Sequence, residues 1–129
     1  FSDKPPETWK SSPAGAMQLA TYSIEEDGNS AKVSVARAGG DVLANLNRWR
    51  GQVGLTPINE IGEAQMDEIT VSNLSGWFAE IHGEDGQSIT VAMLPADQPT
   101  WFFKLQGDTE IVKQNTSPFR EYLESVQLQ

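Results

Sequence analysis

The sequence contains no cysteine, which excludes disulfide bonds, thiolate metal sites and cysteine nucleophiles. Basic residues are scarce too: 9 lysines and arginines stand against 18 aspartates and glutamates, giving a formal net charge of −9 at pH 7. Nucleic acids and anionic lipids both attract basic surfaces, so neither is expected as a partner. No run approaches the roughly 18 apolar residues of a transmembrane segment, so none is predicted.

Motifs of the common enzyme classes are missing as well. The sequence has no G-x-S-x-G elbow, no G-x-x-x-x-G-K-S/T phosphate loop, no dinucleotide-binding glycine pattern and no H-E-x-x-H. Its single histidine, His82, cannot form a multi-histidine metal site within one chain. The acidic turns 25–29 and 83–87 lack the ligand spacing of a calcium loop. No cofactor or metal is predicted, and a non-enzymatic role is favoured.

With 129 residues, the chain has the length of one domain. Residues 17–24 and 31–37 read as two strands around a turn rich in Asp, Gly and Asn. A register that pairs Ile24 with Ala31 gathers the apolar side chains of both strands on one face. This pattern predicts an antiparallel β-hairpin.

An amphipathic helix is predicted next, because Asp41 can cap it and Gly54 and Pro57 can end it. Its apolar stripe follows the 3.6-residue period and comprises Val42, Leu46, Trp49 and Val53. Residues 57–65 are interpreted as a connection or a short helix.

Four strands are predicted downstream, at residues 69–73, 76–82, 88–94 and 100–106, with turns at 83–87 and 95–99. If Ile81 pairs with Ile89 and Val91 with Phe103, apolar rows align across the last three strands. The opposite face then carries polar side chains at one end. These strands are predicted to form an antiparallel meander.

A second helix is predicted at the end of the chain. Asp108 is its expected cap, and Pro118 predicts a kink or a restart. Its inward residues are Ile111, Val112, Phe119, Tyr122, Leu123 and Val126. The predicted fold is therefore α+β: an antiparallel β-sheet meander with one helix after the first hairpin and a C-terminal helix packed on the sheet.

The start of the chain suggests export. The sequence begins at Phe1 rather than methionine and continues with a polar, proline-bearing stretch. We interpret residues 1–14 as an N-terminal tether and residues 15–129 as a single α+β domain. Processing of an upstream segment is expected, and a trimmed fragment of a cytoplasmic protein is the alternative.

The first helix carries the main candidate interaction residues. One flank of its apolar stripe holds Asn45, Arg48 and Gln52, and the other holds Asn47 and Arg50. The two arginines therefore do not share a face. Arg48 can contact an acidic partner, while Arg50 is expected to pair with a carboxylate of its own domain, such as one from an acidic turn. The alternative is that both arginines only solvate the helix and favour its C-terminal dipole.

A second candidate site lies on the predicted sheet, where Glu80, His82 and Lys104 are expected on one polar face. Together they would form a ligand pocket or an acid–base site. The alternative is that His82 is an ordinary half-exposed strand residue.

Three segments resemble a group of uncharacterised bacterial exported proteins and lipoproteins: residues 45–55, with Asn-Arg-Trp-Arg-Gly-Gln, residues 100–107 and residues 119–126. The strand followed by a helix that closes on Phe-x-x-Tyr-Leu-x-Ser-Val is also similar, more loosely, to the PsbP-like superfamily. These resemblances imply an antiparallel sheet with packed helices and an address in the periplasm or cell envelope. A lipid anchor would require residues upstream of Phe1.

Members of the PsbP-like superfamily are mainly non-enzymatic binding or assembly proteins. The resemblance therefore implies an exported binding or accessory domain with a protein partner, and the leading expectation combines it with the amide- and arginine-rich helix. The alternative is a small-ligand-binding protein or modest enzyme that uses Glu80, His82 and Lys104.

Overall fold

The computed structural model describes residues 1–15, 17–96 and 98–128. Within these residues the elements are β1 (Lys10–Ser12), β2 (Gln18–Glu26), β3 (Asn29–Ala38), α1 (Val42–Gln52), a short 3-10 helix (Ile61–Glu63), β4 (Met66–Val71), β5 (Leu74–His82), β6 (Gln87–Leu94), β7 (Thr100–Asp108) and α2 (Thr109–Ser125). The strands form one antiparallel sheet in the order β1-β2-β3-β7-β6-β5-β4. The predicted α+β fold, with a helix after the first hairpin and a C-terminal helix on the sheet, is confirmed.

The hairpin of β2 and β3 forms in the predicted register, with Ile24 opposite Ala31. Its turn is shorter than the stretch 25–29, because both strands extend until only Asp27 and Gly28 remain between them. These two residues have φ values of 51° and 82°, as a two-residue hairpin turn with right-handed twist requires. The predicted turn at 95–99 connects β6 to β7, and its residue 97 lies outside the described residues.

The register of β7 against β6 differs from the prediction by one residue. Ile81 pairs with Ile89 between β5 and β6, as predicted. Val91, however, pairs with Lys104 rather than with Phe103. Because three successive aromatic residues, 101–103, leave β7 without a clear polar–apolar alternation, the sequence pattern does not distinguish the two registers.

The sheet separates two hydrophobic cores. On one face, α2 and the N-terminal segment cover a core that includes Trp9, Phe103 and Phe119. On the other face, α1 packs over β5, β6 and β7, where the rings of Trp49 and Phe102 meet edge to face with centroids 5.5 Å apart. The α1 side of β1, β2 and β3 carries no helix in the described part of the chain.

The segment predicted to be a tether, residues 1–14, packs on the domain. Trp9 is buried in the core on the α2 side. The Asp3 carboxylate accepts hydrogen bonds from the hydroxyls of Tyr22 and Tyr122, at 2.5 and 2.7 Å. The segment also contributes β1 to the sheet. No break in packing therefore falls at the predicted boundary, because one aromatic ring and one carboxylate anchor an otherwise polar stretch.

The second helix, α2, is continuous across Pro118, so the predicted restart does not occur. Asp108 precedes the helix but does not cap it with its side chain. Its carboxylate instead accepts hydrogen bonds from the backbone N–H of Ser30, at 2.8 Å, and from the Gln87 side chain, at 2.7 Å. This carboxylate therefore connects β3, β6 and β7. Among the described residues, neither helix has the length and hydropathy of a membrane span.

The two tyrosines of this protein allow a pH test of the Asp3 contact. Burial, and then the hydrogen bond to Asp3, raises the pKa of Tyr22 and of Tyr122 above the ordinary 10.0. Well below pH 10.0 the phenols are protonated in both the folded and the unfolded state, and their contribution to stability is complete. At higher pH they ionise first in the unfolded chain, so the free energy of unfolding should fall. Tyrosinate absorbance should therefore rise only as the protein unfolds.

A matched pair of variants tests the cause of this shift. Asp3→Asn removes the charge beside the phenols and should allow them to ionise at lower pH than in the parent protein. Asp27→Asn removes the same charge from the exposed β2–β3 turn and should leave the tyrosine titration unchanged. Ionisation of both phenols near pH 10.0 in the folded parent protein would contradict the buried contact of Asp3 with Tyr22 and Tyr122.

Candidate functional site

The helix α1 begins and packs as the sequence predicts. The Asp41 carboxylate accepts a hydrogen bond from the Ala44 backbone N–H at 2.6 Å and so satisfies one unpaired donor of the first turn. Leu46 and Trp49 are buried against the sheet. Asn45, one of the candidate interaction residues, is also buried, and its amide donates to the Asp41 carbonyl at 3.0 Å. Its role is therefore structural.

Two further candidates, Asn47 and Arg50, hold the loop that follows the helix. The Asn47 amide nitrogen donates to the carbonyl of Ile58 at 2.9 Å, and its oxygen accepts from the Ile58 N–H at 2.8 Å. The Arg50 Nε–H donates to the carbonyl of Thr56 at 2.8 Å. The expected carboxylate partner of Arg50 is thus replaced by a backbone carbonyl, and this flank of α1 is occupied by its own chain.

The remaining candidates, Arg48 and Gln52, face outward. Gln52 accepts a hydrogen bond from the side chain of Gln106 on β7, at 3.4 Å. Arg48 is exposed, and its guanidinium carbon lies 5.5 Å from the centroid of the Trp49 ring. Within residues 1–15, 17–96 and 98–128, no carboxylate lies within ion-pair distance of Arg48. Its cationic group is therefore available to a ligand.

Lys104 lies beside the same ring from the sheet side, with its Nζ 5.9 Å from the Trp49 centroid. Burial lowers the pKa of the Lys104 ammonium group, and the positive charge of Arg48 lowers it further. Lys104 also has no carboxylate within ion-pair distance in the described part of the chain. A bound anion would offset both the desolvation of this ammonium group and its repulsion from Arg48.

A pocket of about 220 Å³ opens beside the two cations. Met17, Ser34, Ala36 and Phe102 line it together with Arg48, Trp49 and Lys104. Ser34 of β3 lies opposite Lys104 of β7, and Ala36 lies opposite Phe102, so these four side chains share the α1 side of the sheet. We call this the open-face pocket.

The pocket adjoins the part of the sheet that α1 leaves uncovered, which we call the open half-face: the α1 side of β1, β2 and β3. Its cross-strand rows are Lys10–Ser23–Lys32 and Ser12–Thr21–Ser34. Within the second row Thr21 is buried, and its hydroxyl donates to the Gln18 side chain at 3.0 Å. The opposite side of the same strands carries apolar core residues instead. Short hydroxyl side chains and lysines therefore dominate the open half-face.

Charge is distributed unevenly along this surface. Four of the 9 basic residues of the chain lie on the open half-face or at its border: Lys10, Lys32, Arg48 and Lys104. Acidic Glu25 lies on the same side but at the end next to the β2–β3 turn, opposite Ser30. The middle of the surface is therefore basic, although the protein as a whole is acidic.

The structure does not bring Glu80, His82 and Lys104 together. Glu80 and His82 lie on the α2 side of the sheet, with His82 Nε2 3.7 Å from Glu80 Oε1 and with side chains that are 41% and 44% exposed. Lys104 lies on the α1 side, against Trp49. The one-residue register difference between β6 and β7 explains this correction, because it moves Lys104 to the other face.

Sequence patterns do not identify Met17, Ser34 or Ala36 as site residues. Their residue types carry no chemistry that marks a site. The register of β3 against β7 places Ser34 and Ala36 beside Lys104 and Phe102, and Met17, just before β2, lines the same pocket. Comparisons with protein-family models and with curated protein sequences find no match for this chain. Function is therefore inferred from the geometry of the open half-face and its pocket.

The two-way contact of Asn47 predicts a stability difference between two amides of one helix. Asn47→Ala should lower the free energy of unfolding by about 1–2 kcal/mol, because it removes two hydrogen bonds to the Ile58 backbone. Gln52→Ala should change it by less than about 0.5 kcal/mol, since that amide is exposed. Chemical denaturation measures both, and equal effects would remove the structural role assigned to Asn47.

Proposed function

We propose that this protein is a non-enzymatic binding domain of the bacterial cell envelope, and that it binds a protein partner through the open half-face. The observation that carries this proposal is the unequal covering of the sheet. The α2 side is covered by α2 and the N-terminal segment, whereas α1 packs only over β5, β6 and β7 on the other side. A pocket lined by apolar side chains and two cations, beside a polar and basic sheet surface, has the composition of a protein-binding surface.

The size of the open-face pocket favours a protein partner over a small molecule. Sites for small organic ligands usually enclose about 300–1,000 Å³. The open-face pocket encloses about 220 Å³ between α1 and the sheet. This volume suits one or two side chains of a partner whose remaining contacts lie on the neighbouring strands.

Catalysis has less support from the site geometry. An acid–base site needs its groups close to one reacting atom, usually in a pocket. Glu80 and His82 line a depression of about 580 Å³ together with Asp67, but both side chains are largely exposed there, and Lys104 lies across the sheet from them. No carboxylate or histidine lines the open-face pocket within the described ranges of the chain. The arrangement therefore favours binding over the enzymatic alternative.

Filling the open-face pocket should block the partner. Ser34→Trp places an indole in the pocket, whereas Lys113→Trp adds the same group to the exposed side of α2 and is the matched control. Crosslinked envelope extracts are captured with the parent protein and with each variant, and the captured proteins are quantified. Proteins enriched by the parent should fall about tenfold or more with Ser34→Trp, which corresponds to about 1.4 kcal/mol.

Thermal unfolding of both variants verifies that each is folded before capture. Recovery of the same proteins in equal yield by the parent and by Ser34→Trp would exclude the open half-face as the binding surface. A loss with Lys113→Trp alone would move that surface to the α2 side.

The envelope address has a separate support and a separate test. It depends on the resemblance of residues 45–55, 100–107 and 119–126 to bacterial exported proteins. Fractionation of bacteria that express the natural precursor should recover the protein with the envelope. Recovery in the cytosolic fraction would contradict the address without affecting the proposed binding surface.

A further inference from the structure

We propose that the open-face pocket recognises a short acidic segment of the partner protein. In this segment a carboxylate side chain lies between Arg48 and Lys104, and a neighbouring apolar side chain contacts Met17 and Ala36. The inference rests on the proposed function, since it names the chemistry that the open half-face selects.

The charges of the site are complementary to such a segment. The guanidinium carbon of Arg48 and the ammonium nitrogen of Lys104 lie 5.5 and 5.9 Å from the centroid of the Trp49 ring, and both residues line the open-face pocket. No carboxylate within the described residues pairs with either group. A carboxylate between them would form charge-assisted hydrogen bonds in a partly desolvated place, where such bonds are stronger than on an open surface. Lys10 and Lys32 extend the basic surface across the strands.

The apolar part of the site lies at the start of β2. Met17 lines the pocket and is 76% exposed. Leu19, at the irregular start of the β2–β3 pairing, is 53% exposed but is not one of the residues that line the pocket. Both residues are among the four large apolar side chains that are exposed among the described residues. Methionine adapts its shape to different partners, so Met17 suits contact with an apolar side chain of varied form. An acidic residue beside an apolar one therefore matches both parts of the site.

A nucleic acid would present anionic phosphates but fits this protein poorly. Phosphate backbones require an extended basic surface, and this chain carries a net charge of −9. Glu25 also lies at one end of the open half-face, where it would repel a continuous polyanion. A short acidic segment places its charge only at the middle of the face, so it avoids this repulsion.

The test uses two blocked synthetic peptides with the sequences Ser-Leu-Glu-Leu-Ser and Ser-Leu-Gln-Leu-Ser, which differ only in the central charge. Binding to the full chain is followed by nuclear magnetic resonance, through the Trp49 indole N–H and the backbone amides of Ser34 and Ala36. The Glu peptide should shift these signals and bind at least about fivefold more tightly than the Gln peptide, the factor expected for one productive ion pair.

Variants separate the site from general electrostatics. Arg48→Gln and Lys104→Met should each weaken the Glu peptide about fivefold or more and leave the Gln peptide unchanged. Lys113→Met makes the same change in charge on the exposed side of α2 and should stay within about twofold of the parent. Folding of each variant is verified by thermal unfolding.

Several results would overturn the proposal: equal binding of the two peptides, no binding of the Glu peptide at millimolar concentration, an equal loss with Lys113→Met, or equally effective competition by a single-stranded oligonucleotide.

The failure of this inference is distinguishable from the failure of the proposed function. If the protein binds the Glu and Gln peptides equally while Ser34→Trp still blocks partner capture, the proposed binding surface is supported and the proposed acidic ligand is excluded.

Discussion

The pairing of β6 with β7 decides the environment of every side chain on these two central strands. Val91 opposite Lys104 places Phe103 and Leu105 in the core beneath α2, and it places Phe102 and Lys104 against Trp49 of α1. A displacement by one residue would exchange these two sets, because side chains alternate between the faces of a strand. The cationic site beside Trp49 exists only in the observed register.

The unequal covering of the sheet has a geometric cause. A helix is about 10–12 Å wide with its side chains, and strands lie about 4.8 Å apart, so one helix covers two or three strands. On the α1 side, the helix packs over β5, β6 and β7. On the α2 side, the N-terminal segment adds Trp9 and the Asp3 contacts with both tyrosines to the surface that α2 covers. On the α1 side no helix of the described chain lies over β1, β2 and β3, and Thr21 of β2 is buried beside the Gln18 side chain.

Most polar residues of α1 hold the helix and the loop that follows it, and one of them, Arg48, faces outward. Asn47 and Arg50 hold the following loop by hydrogen bonds to its backbone, and Asn45 bonds back to the first turn. These contacts keep α1 in place, and the buried ring of Trp49 is held with it. Arg48 is thereby left at the border of the open half-face. Residues that resemble a recognition motif in the sequence therefore act mostly as supports for the single arginine that faces outward.

The strand β1 and the pairing of β3 with β7 do not follow from the sequence pattern. The sequence by itself determined the other main elements and part of their pairing: the β2–β3 register, the capped helix with its buried Trp49, and the register of β5 with β6. In each of these, apolar and polar residues alternate with a clear period, so burial selects one arrangement. Only the tertiary structure decided which side of the sheet Lys104 occupies. Residues 101–103 place aromatic side chains on both faces of β7 in either register, so the pattern does not select one. It also decided which helix amides meet backbone groups of the loop that follows the helix, since a side chain's residue type does not specify its partner.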